Sequence, residues 1–219
     1  MGPPSVAHSG ELHPLEVFRV LGPVVARDPA TILICDGGEF AQWGQSLLKA
    51  PRRMINSVTG AIGAGLSFAL AARMHDADAP IFVVMGDGTF GFHLAEIETA
   101  VRRILPFIAI VGNDAPWNAE SQLQRWHDGE NRMHGCELLA AHYDAWASAP
   151  GGHGEFVTKA HELDGAIARA IASGRPAVIN NMTDSIAAPG SGARGMRPVP
   201  KTVVDLFAPN FSTPAIPGL

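Results

Sequence analysis

The sequence predicts an α/β fold, a doubly wound and mainly parallel sheet with helices on both faces, on three observations. Short β-branched runs alternate with helical patterns along the chain. Four of the five runs are continuously apolar or β-branched, as strands covered on both faces are. The first three runs end in turns rich in Gly, Asp or Asn, at the place where loops of such sheets diverge and bind ligands.

Taken in order, the strands are expected at "TILIC" (31–35), "IFVVM" (81–85), "FIAIV" (107–111), "EFVTKA" (155–160) and "PAVINN" (176–181). Helices are expected at about 15–21, 44–49, 61–75, 93–104, 137–145 and 162–173. In the helix at 93–104, Leu94, Ile97, Val101 and Ile104 share one side, while Glu96, Arg102 and Arg103 lie elsewhere. From Thr183 onward the composition shifts to Gly, Pro and Ser. The expected organisation is one domain over 1–185 and a Gly/Pro-rich tail over 186–219, an extended arm or a flexible end. No internal repeat is visible.

The 219 residues suffice for a single larger domain with a sizeable core. With 47% hydrophobic and 17% charged residues the chain has a globular balance. A net charge of -5 and a pI near 6.0 argue against a nucleic-acid partner, and Arg52-Arg53 and Arg102-Arg103 read as solvated surface. The longest apolar run, residues 61–72, is too short to span a bilayer, and the N-terminus lacks a signal pattern, so the expectation is a cytoplasmic protein with no membrane partner. Cys35 and Cys136 lie far apart without metal-ligand spacing and read as one buried and one surface thiol. The nine histidines show no zinc spacing, and His127 and His134 fall in a polar, exposed stretch.

Three turns qualify as ligand loops: "CDGGEF", "GDGTF" and "GNDAPWNAE". Gly86 and Gly88 flank Asp87, so the backbone can turn and bring amides to a phosphate at the next helix. Asp87 and the Asn113-Asp114 pair end neighbouring strands joined by one helix, so their oxygens can converge on one ion. Hard oxygen ligands with room for phosphoryl oxygens suit magnesium.

Gly-Asp-Gly, a helix, Leu105-Pro106, an apolar strand and an Asn-containing turn together resemble the diphosphate-binding domain of thiamine diphosphate enzymes, as in acetolactate synthase, 2-hydroxyacyl-CoA lyase, oxalyl-CoA decarboxylase and benzaldehyde lyase. The likeness covers roughly residues 12–185. It implies Asp87 as first magnesium ligand, with Gly88 and Thr89 offering amide and hydroxyl to the diphosphate. Asn113 and Asp114 fall on the family's Asn-Asn pair, so Asp114 stands where an asparagine ligand is usual. A one-residue shift in register makes Asn113 the ligand instead, and the carbonyl of Pro116 completes the set. The segment "TGAIGAGLSFALAAR" is similar to the one whose large apolar side chain, here Ile62, supports the coenzyme between its rings, with the Gly60 carbonyl holding the amino group. Gly38, Glu39 and Phe40 are implied near the diphosphate; Asp36 is either part of that group or a turn or cap residue. Trp117, Asn118, Glu120 and Gln124 follow the metal loop where relatives shape the substrate side, the first two beside the coenzyme. His93 either faces the coenzyme or merely begins a helix.

The family also needs a glutamate against the pyrimidine ring, carried on a separate pyrimidine-binding domain. No such domain is visible here, and His161-Glu162 matches the family's last helix instead. The resemblance therefore implies a separate diphosphate-binding subunit in a hetero-oligomer, with two or more copies of each chain and a partner supplying the glutamate. The implied reaction is a decarboxylation, lyase or carboligase step on a small 2-oxo acid or 2-hydroxyacyl compound. Three other readings stay open: a piece excised from a longer enzyme, which is the main competitor to the separate subunit, the coenzyme subunit of a 2-oxoacid:ferredoxin oxidoreductase, and a non-catalytic coenzyme-binding subunit.

Overall fold

The computed structural model describes residues 12–57, 60–129 and 132–188. They form the expected α/β fold, an all-parallel six-stranded sheet in the order β2-β1-β3-β4-β6-β5. The strands are β1 (Ile32–Asp36), β2 (Arg52–Ile55), β3 (Ile81–Gly86), β4 (Ile108–Asn113), β5 (His153–Val157) and β6 (Ala177–Met182). Helices α1 (Pro14–Val25), α2 (Gly38–Leu47) and α3 (Gly65–His75) belong to the first half, with α4 (Asp87–Gly91) and α5 (Glu96–Arg103) after β3. Helices α6 (Asn118–Asp128), α7 (Tyr143–Ser148) and α8 (Leu163–Ser173) complete the chain.

Two apolar layers sandwich the sheet. One gathers Phe18, Leu21, Phe40 and Trp43 with Ile167 against Leu33, Phe82 and Ile110. The other gathers Leu66, Leu70, Phe90, Ile97 and Tyr143 against Ile34, Val83 and Ala109. Consecutive residues of β1, β3 and β4 thus feed opposite cores, which is why these strands read as unbroken apolar runs.

Several elements differ from expectation for identifiable reasons. Strand β2 was not expected at all: Arg52 and Arg53, expected as solvated surface, open an edge strand whose residues are largely exposed. Arg52 pairs with Asp76 at 2.7 Å and also reaches the Ala30 carbonyl, while Arg53 donates to the Gln45 carbonyl at 2.8 Å. Helix α6 was also unexpected, because it is polar and buries only Asn118 and Ser121. Strand β5 starts two residues earlier than expected and stops at Val157; residues 158–160 lead into a single 3-10 turn, Ala160–Glu162.

Helix α2 runs over Gly38–Leu47 rather than starting at 44, and α3 starts at Gly65, leaving Ile62 in a loop. Helix α5 starts at Glu96 and is followed by a left-handed Ile104 that is 82% exposed, so Ile104 does not share the buried side of Ile97. The helix expected at 137–145 lies at Tyr143–Ser148, since Pro116 and Glu137 bridge as extended chain. Cys136, expected at the surface, is buried. Of the expected tail, 189–219 lie outside the described residues. Residues 186–188 pack on α2, where the Trp43 Nε1 donates to the Ile186 carbonyl at 3.2 Å and the Ala188 amide donates to Glu39 at 3.1 Å. No helix among the described residues is long and apolar enough to cross a membrane.

Candidate functional site

The strand order contains a reversal that places the site. From β1 the chain moves outward to β2, then returns past β1 to β3, so the loops after β1 and β3 diverge. A cavity of about 280 Å³ opens there, at the carboxyl ends of β1, β3 and β4. The expected Gly38, Glu39 and Phe40, then Gly86, Asp87, Gly88 and Thr89, all line it. So do Ile62, Asp114, Pro116, Trp117, Asn118 and Glu120.

Three expected residues stand apart. The side chain of Gln124 is outside the cavity lining and pairs with the His134 backbone, Nε2 donating to the carbonyl at 3.1 Å and Oε1 accepting from the amide at 2.7 Å. Gly60 is exposed and outside the cavity lining, in a turn where its amide donates to the Ser57 carbonyl at 2.9 Å. Asn113 is fully buried and turned away: its Nδ2 donates to the Ala141 carbonyl at 2.9 Å and to Asn180 Oδ1 at 3.2 Å. Of the two residues left open at the end of β4, Asp114 is the one that faces the cavity. Sequence reading missed Gly37, Asn56, Gln42 and Gln45, which also line it. The doubled glycine of "CDGGEF" was a signal for the first; Asn56 follows the unexpected β2 and accepts a 3.1 Å hydrogen bond from the Gly37 amide.

The walls are built by close approach. A Cβ on Gly37, whose φ is +61°, would lie 2.8 Å from Thr89 Cγ2 and 2.9 Å from Ile62 Cβ, so only glycine leaves this corner open. On Gly88 a Cβ would meet three ring atoms of Trp117 at 2.8 to 2.9 Å, so Trp117 lies flat on the first turn after β3. Neither Gly86 nor Gly88 has positive φ, whereas a sharp turn was expected; Gly88 is a glycine for closeness, while a Cβ on Gly86 would meet only ordinary contact at 3.7 Å.

The loop after β4 is held on both sides. Ala115 takes a left-handed φ of 65°, a strained choice for a residue with a side chain. That turn lets its amide donate to Asp87 Oδ2 at 3.1 Å, while Asp87 Oδ1 accepts from the Gly88 amide at 2.8 Å. From behind, the Leu138 amide donates to the Ala115 carbonyl and the Trp117 amide to the Cys136 carbonyl, both at 2.7 Å.

Burial dominates the electrostatics of the two carboxyl groups at the cavity. Burial pushes the Asp87 carboxyl up to about 6, against the pull of the amides it accepts from. Burial, and then the Asp87 charge, push Asp114 up to about 8, opposed by the Asn118 side chain. Thr89 is 1% exposed, and its Oγ1 has no hydrogen-bond partner. A buried hydroxyl left unsatisfied costs about 1–3 kcal/mol unless a ligand supplies the partner. Carboxylate oxygens, an orphaned hydroxyl and backbone amides around a glycine-walled corner suit a hard divalent cation together with phosphoryl oxygens.

Comparison with known proteins agrees with this geometry. Residues 36–181 match the family described as thiamine pyrophosphate enzyme, C-terminal TPP binding domain. The acetolactate synthase large subunit of Mycobacterium tuberculosis is 34% identical over 187 residues, covering 81% of this chain and 33% of that protein. Human 2-hydroxyacyl-CoA lyase 2 is 32% identical over 154 residues, covering 69% of this chain and 24% of that protein. A thiamine diphosphate-dependent 4-hydroxybenzoylformate decarboxylase of Rhodococcus jostii RHA1 shares the fold, with a TM-score of 0.72 over 83% of this chain and 34% of that one, at 19% identity. The chain thus spans about a quarter to a third of the length of these proteins.

Proposed function

This chain belongs to the thiamine pyrophosphate enzymes, as a C-terminal TPP binding domain, and on that premise we propose that it anchors the coenzyme's diphosphate through one magnesium ion. The observation that carries the reading is the shared cavity of Asp87, Asp114 and the orphaned Thr89 hydroxyl. Asp87 and Asp114 ligate the ion by carboxylate oxygens and Pro116 by its carbonyl. Asn113 serves instead as a buried tether of β4 to β6. The Thr89 hydroxyl donates to the diphosphate, with Gly37 and Gly38 leaving it room.

Ile62 stands at the wall of the cavity beside Gly37 and supports the folded coenzyme between its rings. Trp117 and Phe92, with ring centroids 5.6 Å apart, form an apolar flank that keeps water from the reacting end. Bound thiamine diphosphate supplies the electron sink for breaking or forming a carbon–carbon bond beside a carbonyl. The chain's own contribution is position: its carboxylates hold the cation that offsets the diphosphate charge, and Ile62 fixes the rings' support.

The reaction class we assign is a decarboxylase, lyase or carboligase acting on a 2-oxo acid or 2-hydroxyacyl compound. The supports are sequence likeness to an acetolactate synthase and to a 2-hydroxyacyl-CoA lyase. Most of each relative lies outside the matched segment, so the pyrimidine-side glutamate comes from a domain beyond these residues, which we assign to a separate polypeptide in a hetero-oligomer. Native mass measurement of the active assembly tests this: two kinds of polypeptide are expected, and activity from this polypeptide alone would refute it.

A further inference from the structure

Behind the cavity, a second set of groups grips the loop that carries Ile62. Asp36, the last residue of β1, is 1% exposed and points at that loop. Its Oδ1 and Oδ2 accept from the Gly63 amide at 3.2 and 3.0 Å, and Oδ2 also accepts from the Gly65 amide. On the other side, His93 Nδ1 lies 2.8 Å from the Gly63 carbonyl. A carbonyl oxygen only accepts, so Nδ1 carries the proton in this contact. The residue next to Ile62 is thereby held at its amide by the end of β1 and at its carbonyl by the loop after α4.

The glycines of this loop are explained by the same grip. Gly63 has a φ of +102°, and a Cβ there would lie 2.9 Å from Phe92 Cβ and 3.2 Å from His93 Nδ1. On Gly65 a Cβ would lie 2.8 Å from Asp36 Cβ and 2.9 Å from its Oδ2. Each side chain would displace one of the two gripping groups. Helix α3 begins at Gly65 behind Ala64, which offers no side-chain cap, so a carboxylate from another strand satisfies the amides at its start.

We propose that Asp36 and His93 are positioning residues that hold Ile62 against the cavity, acting on it through Gly63. This rests on the reading of Ile62 as support for the coenzyme's rings. Neither residue lines the cavity, so neither touches the diphosphate or its cation. Ile62 is only half-buried and makes its place by this loop. Charge-assisted hydrogen bonds from a buried carboxylate are the stronger kind, which suits a part that must not yield when a ligand presses on it.

The test compares Asp36→Asn, His93→Leu, His93→Asn and Ile62→Ala. Asparagine at 93 keeps a donor close to the place of Nδ1, whereas leucine does not. The first measurement is amide hydrogen exchange over residues 60–66 in the full chain without coenzyme. The second is deuterium exchange at the thiazolium C2 in the assembly purified through this chain and loaded with thiamine diphosphate and magnesium. Asp36→Asn and His93→Leu are expected to speed the amide exchange about tenfold and to slow C2 exchange about tenfold, as Ile62→Ala slows it. Coenzyme affinity stays within about threefold, and His93→Asn restores both rates to within about threefold. Faster amide exchange with C2 exchange unchanged, while Ile62→Ala is slow, overturns the positioning role alone. Unchanged C2 exchange in Ile62→Ala removes the ring-support reading, and this role with it.

Discussion

Replacing Gly112 by alanine puts the packing beneath the site to a quantitative test. Gly112 lies in β4, one residue before the buried Asn113, and a Cβ there would lie 2.7 Å from Phe40 Cβ and closer still to two carbons of its ring. Carbon atoms settle at about 3.5–4.0 Å, so the Phe40 ring would have to move by roughly 1.5 Å. It has no free direction: it is 5% exposed and packs on Phe18 with ring centroids 4.8 Å apart. Overpacking of this kind costs about 1–3 kcal/mol, and the upper end is expected here. At about 2–4 °C per kcal/mol for a domain of this size, the melting temperature should fall by roughly 6–12 °C. Because Phe40 sits in the first turn of α2 beside Glu39, the cavity wall should shift as well, weakening coenzyme binding. Thermal and urea unfolding of the full chain measure the cost, and Phe40→Ala in the same background measures its origin. If the clash is the cause, Gly112→Ala adds almost nothing once Phe40 is trimmed. A cost below about 0.5 kcal/mol, or costs that simply add, would refute the packing argument.

Other outcomes follow from the same geometry. Ile62→Ala should retain coenzyme within about threefold of the natural affinity but slow turnover by about tenfold or more, because ring support is lost while the diphosphate grip is kept; steady-state kinetics with coenzyme titration separate the two. Thr89→Val should leave the coenzyme-free chain as stable or up to about 1 kcal/mol more stable, since an unsatisfied buried hydroxyl is removed, while calorimetry shows weaker binding of magnesium thiamine diphosphate; a destabilised variant with full affinity would count against the diphosphate role. Glu155 accepts from Arg169 at 2.9 and 2.7 Å and contacts His153 at 2.7 Å, and these partners hold its carboxyl below the usual carboxylate range. Its contribution is therefore present above the unfolded value and lost as pH falls through the folded one. Glu155→Gln should cost about 1–2 kcal/mol near neutral pH, with the difference from the natural chain closing below about pH 4 in denaturant titrations.

What could be read from the sequence followed what each residue's surroundings demand of its type. Strands β1, β3 and β4 touch a core on both faces, and unbroken apolar runs satisfy that; β6 does so only over Ala177–Ile179, while its buried Asn180 and Asn181 donate to the Ala141 and Val111 carbonyls. Strand β2 escaped because an exposed edge makes no such demand, and Arg-Arg-Met-Ile looks like surface. Helix α6 escaped because its only buried residues are a polar pair at its start, so no apolar stripe marks it. In the site, Asp87 and Asp114 were legible because their chemistry is local to a turn after a strand. Which of Asn113 and Asp114 faces the cavity was not, since it depends on Asn180 and Ala141 drawing Asn113 inward from far along the chain. Gly88 was noticed for the wrong reason: its neighbour is the ring of Trp117, a close approach that spacing does not reveal.

The account is tested most directly by calorimetric titration of thiamine diphosphate into the natural chain and into Asp87→Ala, each with the proposed partner polypeptide added, in magnesium and again in EDTA. Uptake that needs the metal and vanishes in Asp87→Ala is the predicted result. Equal uptake in EDTA, or retention by Asp87→Ala, would contradict the claim that a carboxylate-held ion clamps the diphosphate.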